Sequence, residues 1–279
     1  MVVIGHGIAV VLGLYDHFAR YLYAHGYVVC GEDHLGHGKT GEAAGQCGFF
    51  ARRNGWTLAT ANVRAFRQLM GEKFPGVPYI LLGHSMGSFL TRTYLCRCPG
   101  TVDGAILSGT GQESPLLVAT GRLVSTVLGW LRGPTYVSQL VYSQSLGVYN
   151  RQFRPNRTTV DWMCSDERMV DAYLQDPLCS FIPSVGLFRD MLGGLRYISS
   201  EKALSRMDPN TPIYLFSGDQ DPVGANGAGV RRVYGYFKDH GTRDLELKLY
   251  PGARHETLNE TNRMEVYADV LDWLDRHCK

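Results

Sequence analysis

The chain has 279 residues, 44% hydrophobic and 19% charged, with a formal net charge of +2. It can bury a full core, and without a basic block nothing in it points to nucleic acid as a partner. No stretch of about eighteen uninterrupted apolar residues occurs, so no membrane span is expected. The cysteines at 30, 47, 96, 98, 164, 179 and 278 are odd in number and scattered, which suits a reducing compartment better than a disulfide framework. Cys96 and Cys98 lack a second Cys/His pair at zinc spacing, so no metal is expected. Residues 1–4 lack a charged leader region, which makes a cytoplasmic location the expectation.

Residues 2–4 read as a short buried strand ending in Gly5-His6-Gly7. Residues 15–25 carry a helical pattern stopped by Gly26, and residues 27–30 form the next strand. It runs into the polar, glycine-rich stretch Asp33-His34-Leu35-Gly36-His37-Gly38. Residues 56–73 read as an amphipathic helix, with Leu58, Ala61, Ala65 and Leu69 near helical spacing. Tyr79-Ile80-Leu81-Leu82 then runs into Gly83-His84-Ser85-Met86-Gly87, with a helix expected over 89–97. Residues 105–107 form another apolar strand, ending in Ser108-Gly109-Thr110-Gly111. Strands alternating with helices, in continuous apolar runs, imply a mostly parallel sheet covered on both faces.

The rhythm changes after residue 111. Helical patterns occupy 116–131, 162–174 and 185–197, with Pro177 and Pro183 between the last two and no convincing buried strand. Beyond Pro209, strands at 213–216 and 245–250 alternate with helices at 230–240 and 263–277. The expected division is an α/β core over 1–111 and 207–279, interrupted by a helical cap over 112–206.

Gly83-His84-Ser85-Met86-Gly87, between a strand and a helix, fits the nucleophile-elbow pattern Gly-x-Ser-x-Gly. A Cβ on Gly83 or Gly87 would collide with the neighbouring strand or helix, which is why that turn needs glycine. Ser85 Oγ would stand at the tip, and the Met86 N–H, at a helix N-terminus, would face developing negative charge. Taken alone, the pentapeptide also reads as an ordinary Gly/Ser turn. Reactive groups in a parallel sheet collect beyond the carboxyl ends of strands. Ser217-Gly218-Asp219-Gln220-Asp221-Pro222-Val223 offers two acids there, and Pro251-Gly252-Ala253-Arg254-His255-Glu256 a histidine. Ser85…Asp221…His255 is the chain order of a Ser-acid-His triad on such a fold. His255 would take the Ser85 proton, and the acid would hold the imidazole tautomer. Asp221 is the preferred acid, with Asp219 expected to bond the turn backbone. Ile8, after the first strand, is expected to supply the second oxyanion N–H beside Met86.

Together these residues resemble the monoacylglycerol lipase/lysophospholipase branch of the α/β-hydrolase superfamily, of bacterial type. The matching stretches are His6-Gly7, Tyr15-Asp16-His17-Phe18-Ala19, the 33–38 loop, the 83–87 elbow, 218–223 and 252–256, with Asp176-Pro177-Leu178-Cys179 and Phe188-Arg189-Asp190 inside the cap. The resemblance spans nearly the whole chain. It implies Ser85, Asp221 and His255 as triad, Ile8 and Met86 as oxyanion hole, and no cofactor. It also implies a structural role for Asp33, His34 and His37. The chain departs from the family in two places. A polar segment with adjacent Glu and His usually follows the His-Gly turn, where this chain has Ala9-Val10-Val11-Leu12, so a looser loop or one repacked against the cap is expected. Family chains also carry two N-terminal strands that have no counterpart here; the sheet edge left open should favour poor solubility or dimerisation.

Leu116, Leu117, Val118, Leu123, Val124, Val127, Leu128, Trp130 and Leu131 are too many apolar residues for one helix face. About half are expected to pack on the core. The rest point to an acyl tunnel, or to transient contact with membranes or lipid aggregates through the cap. The expected function is hydrolysis of a small-molecule carboxylic ester, of monoacylglycerol or lysophospholipid type, through an acyl-enzyme. Three alternatives stand beside it: a short-chain carboxylesterase, a peptidase using cap acids (Glu113, Asp161, Asp166, Glu167, Asp171), and a non-catalytic protein that holds a small apolar ligand.

Overall fold

Six short apolar runs pair side by side. The computed structural model describes residues 1–278, and among them β1 (Val2–Gly5), β2 (Val29–Gly31), β3 (Ile80–His84), β4 (Gly104–Ser108), β5 (Ile213–Gly218) and β6 (Leu245–Tyr250) form one sheet in the order β2-β1-β3-β4-β5-β6. Every pairing is parallel, with Val2 opposite Ile80 and Gly83 opposite Leu107. The chain steps from β1 outward to β2, then returns past β1 to β3. The order therefore reverses between β1 and β3, where parallel sheets place ligand sites beyond the strand ends. Gly5 and His84 end those two strands, so the His6-Gly7-Ile8 turn and Ser85 arrive together.

Alternate side chains feed two core layers, as the period of a strand requires. Val2, Ile4, Ile80, Leu82, Ile106 and Phe216 pack under α1 (Asp16–Ala24) and α11 (Arg263–Cys278), against Phe18, Leu22, Val270 and Trp273. Val3, Leu81, Leu107 and Leu215 pack on the other face under α3 (Gly55–Lys73), α4 (Met86–Arg97) and α10 (Ala228–Asp239). A change such as Leu82→Ala, at a fully buried position, should cost about 2–5 kcal/mol. One sheet edge is β2, only three residues long and half-buried. Short edge strands are one way a fold limits unwanted pairing.

Several boundaries differ from expectation. In α3 the buried stripe is Trp56, Ala59, Thr60, Val63 and Met70, not the Leu58/Ala61/Ala65/Leu69 row, and Leu58 and Leu69 are exposed. Both rows have helical spacing, and Trp56, inserted beside α8 (Val185–Ile198), decides the face. Helix α4 begins at Met86 rather than at residue 89, because the elbow passes straight into it. Residues 162–165 are a turn and α7 (Glu167–Gln175) starts later, capped by the Asp166 side chain. The turn stays irregular because its backbone is used elsewhere: the Trp162 N–H donates to Asn150 Oδ1, and the Met163 carbonyl accepts the Glu256 N–H at 2.7 Å.

Among the described residues, the stretch between β4 and β5 holds helices and no strand: α5 (Pro115–Arg132), α6 (Gln139–Gln144), α7, α8 and α9 (Glu201–Leu204). Helix α8 is its buried member, with Leu187, Phe188, Met191 and Leu195 on Phe89 and Leu90 of α4. Arg92 of α4, itself buried, holds the start of the stretch through the Gly111 carbonyl (2.8 Å) and Gln112 Oε1 (3.1 Å). Packing falls short of expectation in α5. Val118 is buried, while Leu116, Leu117, Leu123, Val124, Val127, Trp130 and Leu131 remain exposed, Trp130 at 83%.

Candidate active site

Ser85 occupies a backbone conformation that L-residues rarely adopt, φ 52 and ψ −119. Such strain costs about 1–3 kcal/mol and persists only where the surroundings impose it. The surroundings here are close-packed backbone. A Cβ on Gly83 would overlap the Gly87 carbonyl and Thr91 Oγ1, and one on Gly87 would overlap the Gly5 carbonyl. The turn is thus wedged between β1 and α4. The Ser85 N–H donates to the Ser108 carbonyl of β4 (2.9 Å), and its carbonyl accepts the Ser88 N–H and hydroxyl.

Of the two acids beyond β5, Asp221 meets the histidine. Its Oδ2 accepts from His255 Nδ1 at 3.0 Å and from Ser217 Oγ at 2.8 Å, while Oδ1 accepts the Val223 N–H at 2.9 Å. Asp219 is exposed and accepts the Gly252 N–H, so it ties the two strand-end turns together rather than bonding its own. Because a carboxylate can only accept, Nδ1 carries the His255 proton and leaves Nε2 as the free base. Burial works against the His255 imidazolium, but Asp221 and then Glu256 outweigh it, and the pKa stands above the ordinary histidine value. Ser85 and His255 line one cavity of about 230 Å³.

His6 organises the opposite wall. Its Nε2 accepts the His34 N–H (2.9 Å), which puts the ring proton on Nδ1, and Nδ1 donates to the Gly7 carbonyl at 2.7 Å. A trans peptide sets N–H and C=O on opposite sides, so this bond turns the Ile8 N–H away from His6. Ile8 lines the cavity beside Ser85, and Met86 follows the serine directly as the first residue of α4. The first N–H groups of a helix have no partner within it and serve anions. The Ala9-Val10-Val11-Leu12 segment is packed down. Val10 is buried in the core, the Ala9 carbonyl accepts the Ser180 N–H, and the Leu12 N–H donates to Asp33.

Asp33 Oδ2 also accepts the Lys39 N–H, so its carboxylate bridges two backbone segments. His34 and His37 are buried beside His6, and burial pushes His37 down to about 3 and His34 well below the ordinary value. Sequence reasoning missed three neighbours of the site: Trp162, whose ring centroid lies 5.2 Å from that of His255, Tyr15, and the buried pair His84–Glu256 at 3.0 Å. That pair is a close polar contact, not an aligned hydrogen bond. The doublet His255-Glu256 is visible in the sequence, but nothing local marks the second residue as buried.

A second cavity, about 420 Å³, also reaches Ser85. Leu117, Val118 and Val124 of α5, Leu140 of α6, Met191 and Leu195 of α8, and Phe89 of α4 line it, and Glu113 is its one charged residue. Leu117, Val124 and Leu140 are exposed as well, so the outer apolar face of α5–α6 continues into the cavity.

Residues 1–262 match the family model described as serine aminopeptidase, S33. The chain belongs to this family. Within it, the chain is 31% identical to the monoacylglycerol lipase of Mycolicibacterium smegmatis, an alignment covering 99% of this chain and 88% of that protein. Its fold matches a thermostable carboxyl esterase from Bacillus coagulans solved with glycerol (TM-score 0.92, 27% identity, 100% of this chain and 90% of that one). It also matches a lipase in an open form (TM-score 0.88, 25% identity, 100% and 90%). These likenesses identify a monoacylglycerol-lipase-like α/β-hydrolase.

Proposed function

We propose that this chain, a carboxylic ester hydrolase, cleaves a single fatty-acyl ester of a small neutral alcohol, of monoacylglycerol type. Ser85 attacks the ester carbonyl while His255 Nε2 takes its proton. The Ile8 and Met86 N–H groups bind the oxyanion, and a donor of this kind is worth about 3 kcal/mol. His255 returns the proton to the departing alcohol and then activates water to release the acid from the acyl-enzyme, with Asp221 holding the imidazolium throughout. The observation that carries this reading is the His255–Asp221 bond beside a strained serine that opens onto two unlike cavities.

The two cavities divide the substrate. The apolar one suits an acyl chain. The smaller one offers Tyr142, Thr159 and Ser180 to an alcohol, and among the described residues lining it there is no lysine or arginine. A lysophospholipid phosphate would meet the Glu256 carboxylate there and no counter-charge, which favours the neutral monoacylglycerol. In this reading residues 112–206 are a cap that roofs the two core segments, and its exposed Leu123, Val127 and Trp130 touch lipid surfaces transiently while substrate enters. No helix of the described residues is long and apolar enough to cross a membrane. Free cysteines throughout, several of them buried, suit a reducing cytoplasm.

The peptidase alternative lacks its amine site. Asp161 is taken up by Arg157 and Thr158, Asp166 by Arg168 and Arg263, and Glu167 and Asp171 by Arg157, which leaves Glu113 in an apolar wall. Labelling of the protein by a fluorophosphonate, located by mass spectrometry on Ser85 and lost in Ser85→Ala, tests the reading. A folded protein that stays unlabelled removes it and leaves the ligand-binding alternative.

A further inference from the structure

The proposed reaction leaves one buried charge beside the site without a task. Glu256 follows His255 and is 2% exposed. Its Oε1 lies 3.0 Å from His84 Nε2, Asn259 Nδ2 donates to Oε2 at 3.2 Å, and the Tyr15 hydroxyl stands 3.4 Å from both oxygens. His84 is fully buried and directly precedes Ser85, and its Nδ1 is 3.0 Å from Ser108 Oγ. Its ring lies against that of His255, 4.6 Å between centroids. A carboxylate held out of water is costly even where it is hydrogen-bonded, so this one calls for an explanation.

We infer that Glu256 is a positioning residue for the reaction: a second anion that acts on the His255 imidazolium across His84, while Asp221 acts on Nδ1. The inference rests on the reading of Ser85, His255 and Asp221 as triad. Asp221 faces His255 from beyond β5, His84 from the end of β3, and Glu256 from its own loop. Glu256 is in turn faced by Tyr15 ahead of α1, by Tyr173, Cys164 and Cys179 between β4 and β5, and by His6 beyond β1. Burial holds these phenols and thiols in their neutral forms, so Asp221 and Glu256 are the anions of the cluster. Burial pushes the Glu256 carboxyl up, yet His84, His255 and Asn259 bring it below the ordinary range, so it is charged wherever His255 works.

The sign of the effect follows. An anion near His255 favours the imidazolium, the form that must be absent before Ser85 gives up its proton and present in the transition state. Neutralising Glu256 should therefore lower the acid limb of kcat/KM on the pH axis and reduce the plateau together. The experiment is p-nitrophenyl butyrate hydrolysis between pH 5 and 9 by wild type and Glu256→Gln. The expected result is an acid limb lower by about half to one pH unit, a kcat reduced about 10-fold, and KM within about twofold. If Glu256→Gln does not fold, Glu256→Asp, which retracts the charge by one methylene, should move the limb the same way by roughly a quarter unit. A reduced plateau with the limb unmoved would mean that Glu256 only braces the loop, and would overturn the inference. Failure of wild type to label at Ser85 would remove the triad reading instead.

Discussion

The ends of the sheet and the helices inserted between β4 and β5 are built on opposite terms. At the sheet ends the side chains proposed for the chemistry are held by hydrogen bonds and close-packed backbone. Asp221 accepts three hydrogen bonds, His6 bridges two backbone groups, and Ser85 is wedged in a turn that tolerates no Cβ on either flanking glycine. In α5 one large apolar side chain is buried and seven are exposed. Rigid elements hold reacting atoms best, whereas an adaptable apolar surface suits a chain of variable length. The two regions meet at Ser85, which opens into a cavity from each side. The proposed function assigns chemistry to the sheet and substrate choice to the insert.

The comparison can be broken most severely at the sheet. Ser85→Ala is expected to lower p-nitrophenyl butyrate turnover by at least about 10⁴-fold, and Asp221→Asn by about 10⁴-fold through loss of the correct histidine tautomer, with both variants folded by circular dichroism. Gly87→Ala forces a methyl onto the Gly5 carbonyl and should cost about 1–3 kcal/mol or more in urea unfolding, with activity lost in parallel. Acid attacks the same region. His37 falls from its ordinary 6.5 to about 3 in the fold, so the unfolded chain binds the proton first. Stability is full above about pH 6.5 and should decline by up to about 1.4 kcal/mol per pH unit as pH falls toward 3, in urea midpoints taken across that window.

Effects in the insert should be smaller and selective. Val124→Trp narrows the 420 Å³ cavity and should lower the decanoyl-to-butyryl ratio of kcat/KM about 10-fold, leaving butyryl turnover within about twofold. Trp130→Ser should reduce sedimentation with neutral phosphatidylcholine vesicles roughly fivefold and leave soluble-ester turnover unchanged. A drop in butyryl turnover from either change would blur the division between the two regions.

The same contrast sets what was legible in the sequence. Apolar runs and their punctuation define the strands, since a parallel strand buried on both faces has one composition and one way to end. The elbow glycines, Asp221 and His255 are visible for that reason. The buried face of α3 was not, because two rows of residues share helical spacing and only Trp56, docking beside α8, separates them. Residues 162–165 look helical in sequence, but their carbonyls and N–H groups serve the His255 loop and Asn150. Glu256 carries no mark of its own in the sequence, since its surroundings depend on Tyr15 and His84, brought to it from distant segments. The exposed row on α5 was half foreseen; composition reports apolar residues but not what covers them.

Hydrolysis of p-nitrophenyl esters from acetyl to palmitoyl, by wild type beside Ser85→Ala, tests the central claim most directly. Turnover that peaks at medium or long chains and vanishes in the variant is the predicted result. A peak at acetyl would contradict the assignment of the apolar cavity to the acyl chain, and turnover that survives in Ser85→Ala would contradict the nucleophile itself.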